Sequence, residues 1–223
     1  MTTATTTTTG SRTDRASLTR EAILIAAERL FAEHGVFAVS NRQVSEAAGQ
    51  GNNAAVGYHF GTKTDLVRAI EHKHAIPVEK LREQRIAELG PSAGLREWVG
   101  ALVLPFTDHL TALGNPTWYA RFAAQVMADP AYYATVAQDA LALPALVQVI
   151  EGINRCLPEL PAAVRAERDI MARNLLIHTC AEWERALADG ARSPRPNWRA
   201  AASGLIDAIV GLWMAPVTPD NAG

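Results

Sequence analysis

Between Ser40 and Lys63 the chain reads SNRQVSEAAGQGNNAAVGYHFGTK, and this stretch leaves few folds open. Ser40 followed three residues later by Gln43 is a capping box: the hydroxyl takes an N–H of the first turn and the glutamine returns to the Ser40 amide. Val44 and Ala48 share a face at i, i+4 spacing, with Ala47 beside them. Gly49 and Gly51 let the chain reverse in a confined space. Asn52 or Asn53 caps a second short helix, Ala54 to Phe60, which Gly61 stops. Thr62 and Asp65 repeat the capping pattern for the next helix. Two helices of about two turns around a glycine turn make a helix-turn-helix, whose second helix enters the DNA major groove. The positions expected on its outer face are small or planar: Ala54, Ala55, Gly57, Tyr58 and His59. The plain alternative is a surface corner of two helices with satisfied polar residues.

Three words of sequence then carry a resemblance: REAILIAAERLFAEHG at Arg20–Gly35, RQVSEAAG at Arg42–Gly49 and YHFGTKTDL at Tyr58–Leu66. Residues 19–68 resemble the DNA-binding domain of the tetracycline-repressor (TetR) family. The departure is one extra residue within Gln50–Asn53. The resemblance covers about a quarter of the 223 residues. It implies DNA contacts from Ser40, Arg42, Gln43, Asn52, Asn53, Ala55, Gly57, Tyr58, His59 and Lys63. Among these, Lys63 suits a phosphate, and Tyr58 and His59 suit phosphates or a thymine methyl. Arg42 and Asn53 suit base edges, guanine for arginine and adenine for asparagine.

Composition excludes other classes. The net charge is −2, so the chain is no polycation. Residues 11–75 hold eight Lys/Arg and seven Asp/Glu, while residues 76–223 hold thirteen and sixteen. The sign of that split suits a DNA-binding front and a different back. Two cysteines, Cys156 and Cys180, are too few for a disulfide framework, which fits a reduced cytoplasmic setting. No run approaches the ~18 apolar residues of a membrane span, and MTTATTTTTGS is not a secretory signal. Neither a metal site nor a cofactor is expected; His72 and His74, as H-x-H on a helix, face different ways.

The chain divides into a Thr-rich disordered tail at 1–16, a helix-turn-helix domain at 17–75, a ligand-binding and dimerisation domain at 76–215, and a disordered tail at 216–223. Arg12 and Arg15 sit just before the first helix, where they either reach a minor groove or belong to a solvated tail. The first helix starts at Ser17 or Thr19 and ends at His34, with Ile23, Ala27, Leu30 and Phe31 inward and Glu21, Glu28, Arg29 and Glu33 on the wet side. The fourth helix starts at Thr62 and is expected to kink or break at Pro77. Helices follow over 93–113, 117–128, 131–156 with a bend near Pro144, 161–188 and 197–214. Without strand-like alternation or repeats, the fold class is all-α.

Aromatic residues gather in the middle of the chain, and the simplest role for them is a core. Polar groups are interleaved, however, as in small-molecule sites. The resemblance implies an effector there, with candidates Trp98, Phe106, His109, Trp118, Tyr119, Arg121, Phe122, Gln125, His178, Glu182 and Trp183. It also implies that the last two helices pair with those of a second copy, through Leu175, Leu176, Gly204, Leu205, Ala208, Ile209 and Leu212.

These readings point to a ligand-responsive transcriptional regulator, acting as a repressor. It would bind a near-palindromic double-stranded DNA operator as a homodimer and be released by a mostly apolar small molecule. The alternatives are an all-α enzyme or a protein-interaction module using the helix-turn-helix on protein. G-x-S-x-G, H-E-x-x-H and P-loop motifs are absent from the sequence, so no enzyme is expected.

Overall fold

The computed structural model describes residues 10–191 and 197–218, with side chains from residue 14 onward. The described residues form ten helices and no strand. The expected tails lie partly outside this range, as does the side chain of Arg12. Helix α1 (Gly10–His34) starts earlier than its sequence signals suggested. Ser11 to Ala16 include neither proline nor glycine, and extending an anchored helix adds one hydrogen bond per residue ordered.

Helices α2 (Asn41–Ala47) and α3 (Ala55–Phe60) follow, then α4 (Lys63–Ala87). Pro77 neither breaks nor ends α4. Proline removes a single ladder bond, and the buried residues on both sides, His74 and Val78 among them, hold the helix in place. The expected boundary at residues 75 and 76 therefore falls inside one continuous helix.

Beyond it come α5 (Leu95–Leu113) and α6 (Tyr119–Ala128). The single bent helix expected over 131–156 is two helices, α7 (Pro130–Ala140) and α8 (Pro144–Cys156), at 89° to each other. Pro144 starts α8 because its ring fits the first turn, where no N–H partner is required. Helices α9 (Ala162–Ala188) and α10 (Trp198–Met214) complete the chain. Among the described residues no single helix is long and apolar enough to cross a membrane.

One apolar core runs from Ile23 and Phe31 in α1, through Val44, Val56, Leu66 and Ile70, to Leu110, Phe122 and Trp213. Helix α10 packs chiefly on α5, α9 on α6, and α4 on α5. Helix α1 also packs directly on α6, where Phe31 and Phe122 stack with ring centroids 6.2 Å apart. The helix-turn-helix is thus joined to the later helices along two seams: α4 and the α1–α6 contact.

Candidate functional site

The helix-turn-helix is assembled from local hydrogen bonds. Ser40 Oγ accepts from the Gln43 amide at 3.2 Å, and Gln43 Oε1 accepts from the Ser40 amide at 2.8 Å. That is the capping box expected from the sequence, and it engages both side chains in starting α2. Val44 and Ser45 form the buried edge of α2; Ala47 faces solvent. Ser45 Oγ donates to the Asn53 carbonyl at 3.4 Å, which ties α2 to the turn. Gly49, at φ +67°, supplies the left-handed residue that ends α2.

The residue at the start of α3 is Ala54, not an asparagine. Asn52 instead accepts the Ala54 N–H on Oδ1 at 2.9 Å from two residues back, because an asparagine side chain can mimic a turn of backbone. Asn53 remains exposed in front of the helix. Ala55 and Val56 are the buried anchors of α3. Ala55 was expected to face DNA, but its Cβ lies in the core and only 8% of the residue is exposed. The outward face is narrower than the sequence suggested. It holds Gly57, whose surroundings are open, Tyr58, which is 85% exposed, and the half-buried His59 set edge-to-face against Tyr58. Arg20 lies over the Phe60 ring at 4.7 Å and holds the end of α3 to α1. On α2, Arg42 is exposed and bonded to Glu46 at 2.8 Å.

Lys63 departs from its expected role. Its ammonium turns inward to the carbonyls of Val39, at 2.6 Å, and Val36, at 3.1 Å. Two carbonyls at the end of the α1–α2 loop offer a better nest than open solvent, and burial lowers the Lys63 ammonium below its ordinary range. The first turn of α4 is closed by Thr62 and Asp65, with the Asp65 carboxylate on the Thr62 amide at 3.1 Å. In this structure Lys63 is a clip within the domain.

The effector candidates do not surround one chamber. Trp98 packs on Gly152 of α8, with Arg155 over its ring at 5.4 Å. Trp183 meets Trp198 of α10 at 6.1 Å. Phe122 faces α1. Trp118 is half-buried against the core. Arg121 is committed to Glu184, through Nε at 3.0 Å, and to the Thr117 carbonyl at 2.8 Å. His178 and Glu182 are exposed; the inward carboxylate of α9 is Glu184, two residues later, which the sequence reading missed. Gln125 lines a shallow groove between α6 and the α1–α2 loop, with Gly35, Phe37 and Asp129.

Phe106, His109 and Tyr119 do converge. Tyr119 lies 5.6 Å from Phe106 and 5.8 Å from His109, ring to ring. They meet a polar cluster from the other domain. His74 of α4 stacks on Tyr119 at 3.9 Å. Its Nδ1 is 2.8 Å from His109 Nε2, and its Nε2 is 3.0 Å from Glu28 Oε2. Glu28, expected on the wet side of α1, is buried because His74 gives its carboxylate a partner. The Tyr119 hydroxyl donates to Glu71 Oε2 at 3.2 Å.

Of the residues expected at a dimer contact, Leu205 and Ile209 are in the protomer's own core, since they lie on the α10 face that packs on α5. Leu176 is buried as well, at 7% exposure. Gly204, Leu175 and Leu212 are half-buried, and Ala208 is exposed. With Met171, which is 50% exposed, they form the outward face of α9 and α10.

Residues 23–70 match the family model described as bacterial regulatory proteins, tetR family. Similar folds occur in solved structures. A tetR-family regulatory protein from Rhodococcus RHA1 has a TM-score of 0.57 and 15% identity, covering 89% of this chain and 98% of that one. A TetR-family regulator from Marinobacter aquaeolei VT8 has a TM-score of 0.56 and 18% identity, covering 90% and 96%. NalD of Pseudomonas aeruginosa, the secondary repressor of the MexAB-OprM multidrug efflux pump, has a TM-score of 0.55 and 23% identity, covering 87% and 96%. None of the curated proteins matches the sequence. A capped helix-turn-helix thus lies inside a segment that matches the tetR-family model, and over nearly its whole length the chain shares the fold of TetR-family regulators.

Proposed function

We propose that this protein is a dimeric repressor that reads a near-palindromic operator and releases it when a mostly apolar small molecule binds the later helices. The observation that carries the reading is the front of α3: Gly57 and Tyr58 project from a helix whose back, Ala55 and Val56, is fixed in the core. A residue without a side chain beside an exposed aromatic suits close approach to a groove wall. Asn53 and Arg42 flank it as base-edge readers. Two such heads on a two-fold axis read half-sites spaced by about one helical turn or a multiple, through the outward face of α9 and α10. For the effector, support comes from the aromatic convergence of Phe106, His109 and Tyr119 against α4. NalD represses a multidrug efflux pump, and the similar EbrR, with a TM-score of 0.52, is a multidrug binding protein. A small-molecule effector for this chain agrees with the second of these names.

Gly57 provides the test. A Cβ there meets nothing within 4 Å, so Gly57→Ala leaves the fold intact and raises stability by up to about 1 kcal/mol. Gly57→Trp leaves the fold equally intact but puts a bulky ring where the groove wall must come. Operator binding measured over a salt series is expected to survive in the first variant and vanish in the second. Unchanged binding by Gly57→Trp would mean that α3 does not enter the groove.

A further inference from the structure

The buried cluster between α1, α4, α5 and α6 holds more acid than base. Glu28 and Glu79 are its buried acidic residues, and Glu71, half-buried as a residue, brings its carboxyl to the Tyr119 hydroxyl. Glu79 is accounted for: it pairs with Arg82 at 2.6 Å and accepts the Ala145 amide at 2.6 Å at the start of α8. Glu28 has His74. Among the described residues, Glu71 has only the Tyr119 hydroxyl as a hydrogen-bond partner. The cations nearest to it along α4 are used elsewhere: Arg68 holds Asp139 of α7 through two bonds at 2.7 and 2.8 Å, and Lys73 holds Glu21 of α1 at 2.6 Å. Glu71 is faced by the Glu28 charge of α1 and the Tyr119 hydroxyl of α6, and Tyr119 in turn meets His74 and, further along α4, Arg82, with His109 of α5 edge-on. Arg82 is bound to Glu79, and burial with the nearby His74 pushes His109 down to about 4, so neither supplies the missing charge. Among the described residues, no three of His, Cys, Asp and Glu are disposed to hold a metal. Neither the groove by the α1–α2 loop nor a second one at the α4–α5 ends, lined by Arg85, Arg96 and Leu104, reaches this cluster. A proton is the one ligand that needs no cavity.

We propose that Glu71 takes up a proton in the packed state and that this proton holds α4 against α6, coupling the helix-turn-helix to the later helices. A neutral carboxyl under Tyr119 satisfies the cluster; an ionised one places an unpaired charge beside Glu28. Desolvation, aided by the Glu28 charge, raises the Glu71 carboxyl to about 7. The packed state thus binds the proton more tightly than any state in which α4 moves away and wets the group. Packing is favoured as pH falls, and that advantage is lost as pH rises from the ordinary carboxylate range toward 7. The opening constant due to this one group rises about tenfold between pH 6 and pH 8.

The test is an infrared titration with a parallel denaturation series, on wild type, Glu71→Gln and Tyr119→Phe. Glutamine keeps the shape and the Tyr119 hydrogen bond while fixing neutrality. Wild type is expected to show a protonated-carboxyl band that disappears near pH 7 and is missing from Glu71→Gln. The wild-type unfolding constant should rise about tenfold more than that of Glu71→Gln between pH 6 and 8. Tyr119→Phe, which loses the donor that favours the ionised form, should move the band to higher pH. The same band and the same pH slope in wild type and Glu71→Gln would overturn the proposal. Its link to DNA rests on the regulator reading. If the band titrates as expected while neither protein binds any operator, the proton site stands and the regulator reading falls.

Discussion

Glu184 and Arg121 meet in the interior, Oε2 to Nε at 3.0 Å, and the carboxylate also accepts the amides of Ala120 at 3.1 Å and Arg121 at 3.0 Å. One acidic residue of α9 therefore caps the start of α6 and neutralises its guanidinium. Burial pushes the Glu184 carboxyl up, and the two amides and the guanidinium pull it back down. Removing one partner of a buried pair strands the other, at a cost of about 3–5 kcal/mol. Glu184→Gln should lower unfolding free energy in urea by about 3 kcal/mol. Adding Arg121→Met should recover part of that loss, and a double mutant no better than the single would show that the pair is not coupled.

Trp98 sets a second limit. A Cβ on Gly152 would fall inside its indole, and Arg155 lies over the same ring at 5.4 Å. Neither helix can shift freely, because α5 also packs on α4 and α10. Gly152→Ala should cost about 1–3 kcal/mol through overpacking, outweighing the gain in helix propensity. A melting point equal to or above wild type would show that the α5–α8 seam is soft.

Lys63 yields a prediction opposite to that of its sequence motif. A phosphate-binding lysine, when removed, lowers the salt dependence of DNA binding by about one unit. A lysine spent on the Val36 and Val39 carbonyls acts through the fold. Lys63→Met should therefore reduce stability by about 2 kcal/mol, with a salt slope close to wild type. A variant with full stability and a slope smaller by one would restore the phosphate role.

The two cysteines should behave differently. Cys180 is fully buried, and desolvation together with Glu184 raises its thiol well above the ordinary range. Cys156 is half-buried, its thiol 3.7 Å from the Ala93 carbonyl. An alkylating reagent at pH 8 should modify Cys156 and leave Cys180 until the protein unfolds. Mass mapping of the labelled peptides checks this; early labelling at Cys180 would indicate that the α6–α9 seam opens in the native state.

What could be read from sequence was what depends on near neighbours. The capping boxes at Ser40 and Thr62, the glycine turn and most of the helices follow from residues within a few positions of one another. Burial on α10 could not be read this way: its apolar residues occur all round the helix, so Leu205 and Gly204 looked alike until α5 fixed which face was inward. Glu28 sat among charged residues at a period that reads as wet, and only His74, forty-six residues later, makes its burial tolerable. Glu184 was passed over for Glu182 for the same reason, because its partners are the amides of a distant turn. Pro77 does not break α4, because the residues on both sides of it are packed into the core.

The outward face of α10 carries the last prediction. Ala208 is exposed, while Leu205 and Ile209 beside it are buried against α5. A substitution at Ala208 therefore alters what meets the helix from outside and leaves the protomer core alone. If two copies join through α9 and α10, Ala208→Arg introduces a pair of like charges near the two-fold axis, in a place where they lose water. One such contact is expected to cost several kcal/mol of association, enough to turn a dimer at micromolar concentration into a monomer. Sedimentation should show that change with the melting point nearly unaffected, and operator affinity should fall with the dimer. A wild-type protein that sediments as a monomer, or an Ala208→Arg protein that stays dimeric, would place the contact elsewhere on the molecule.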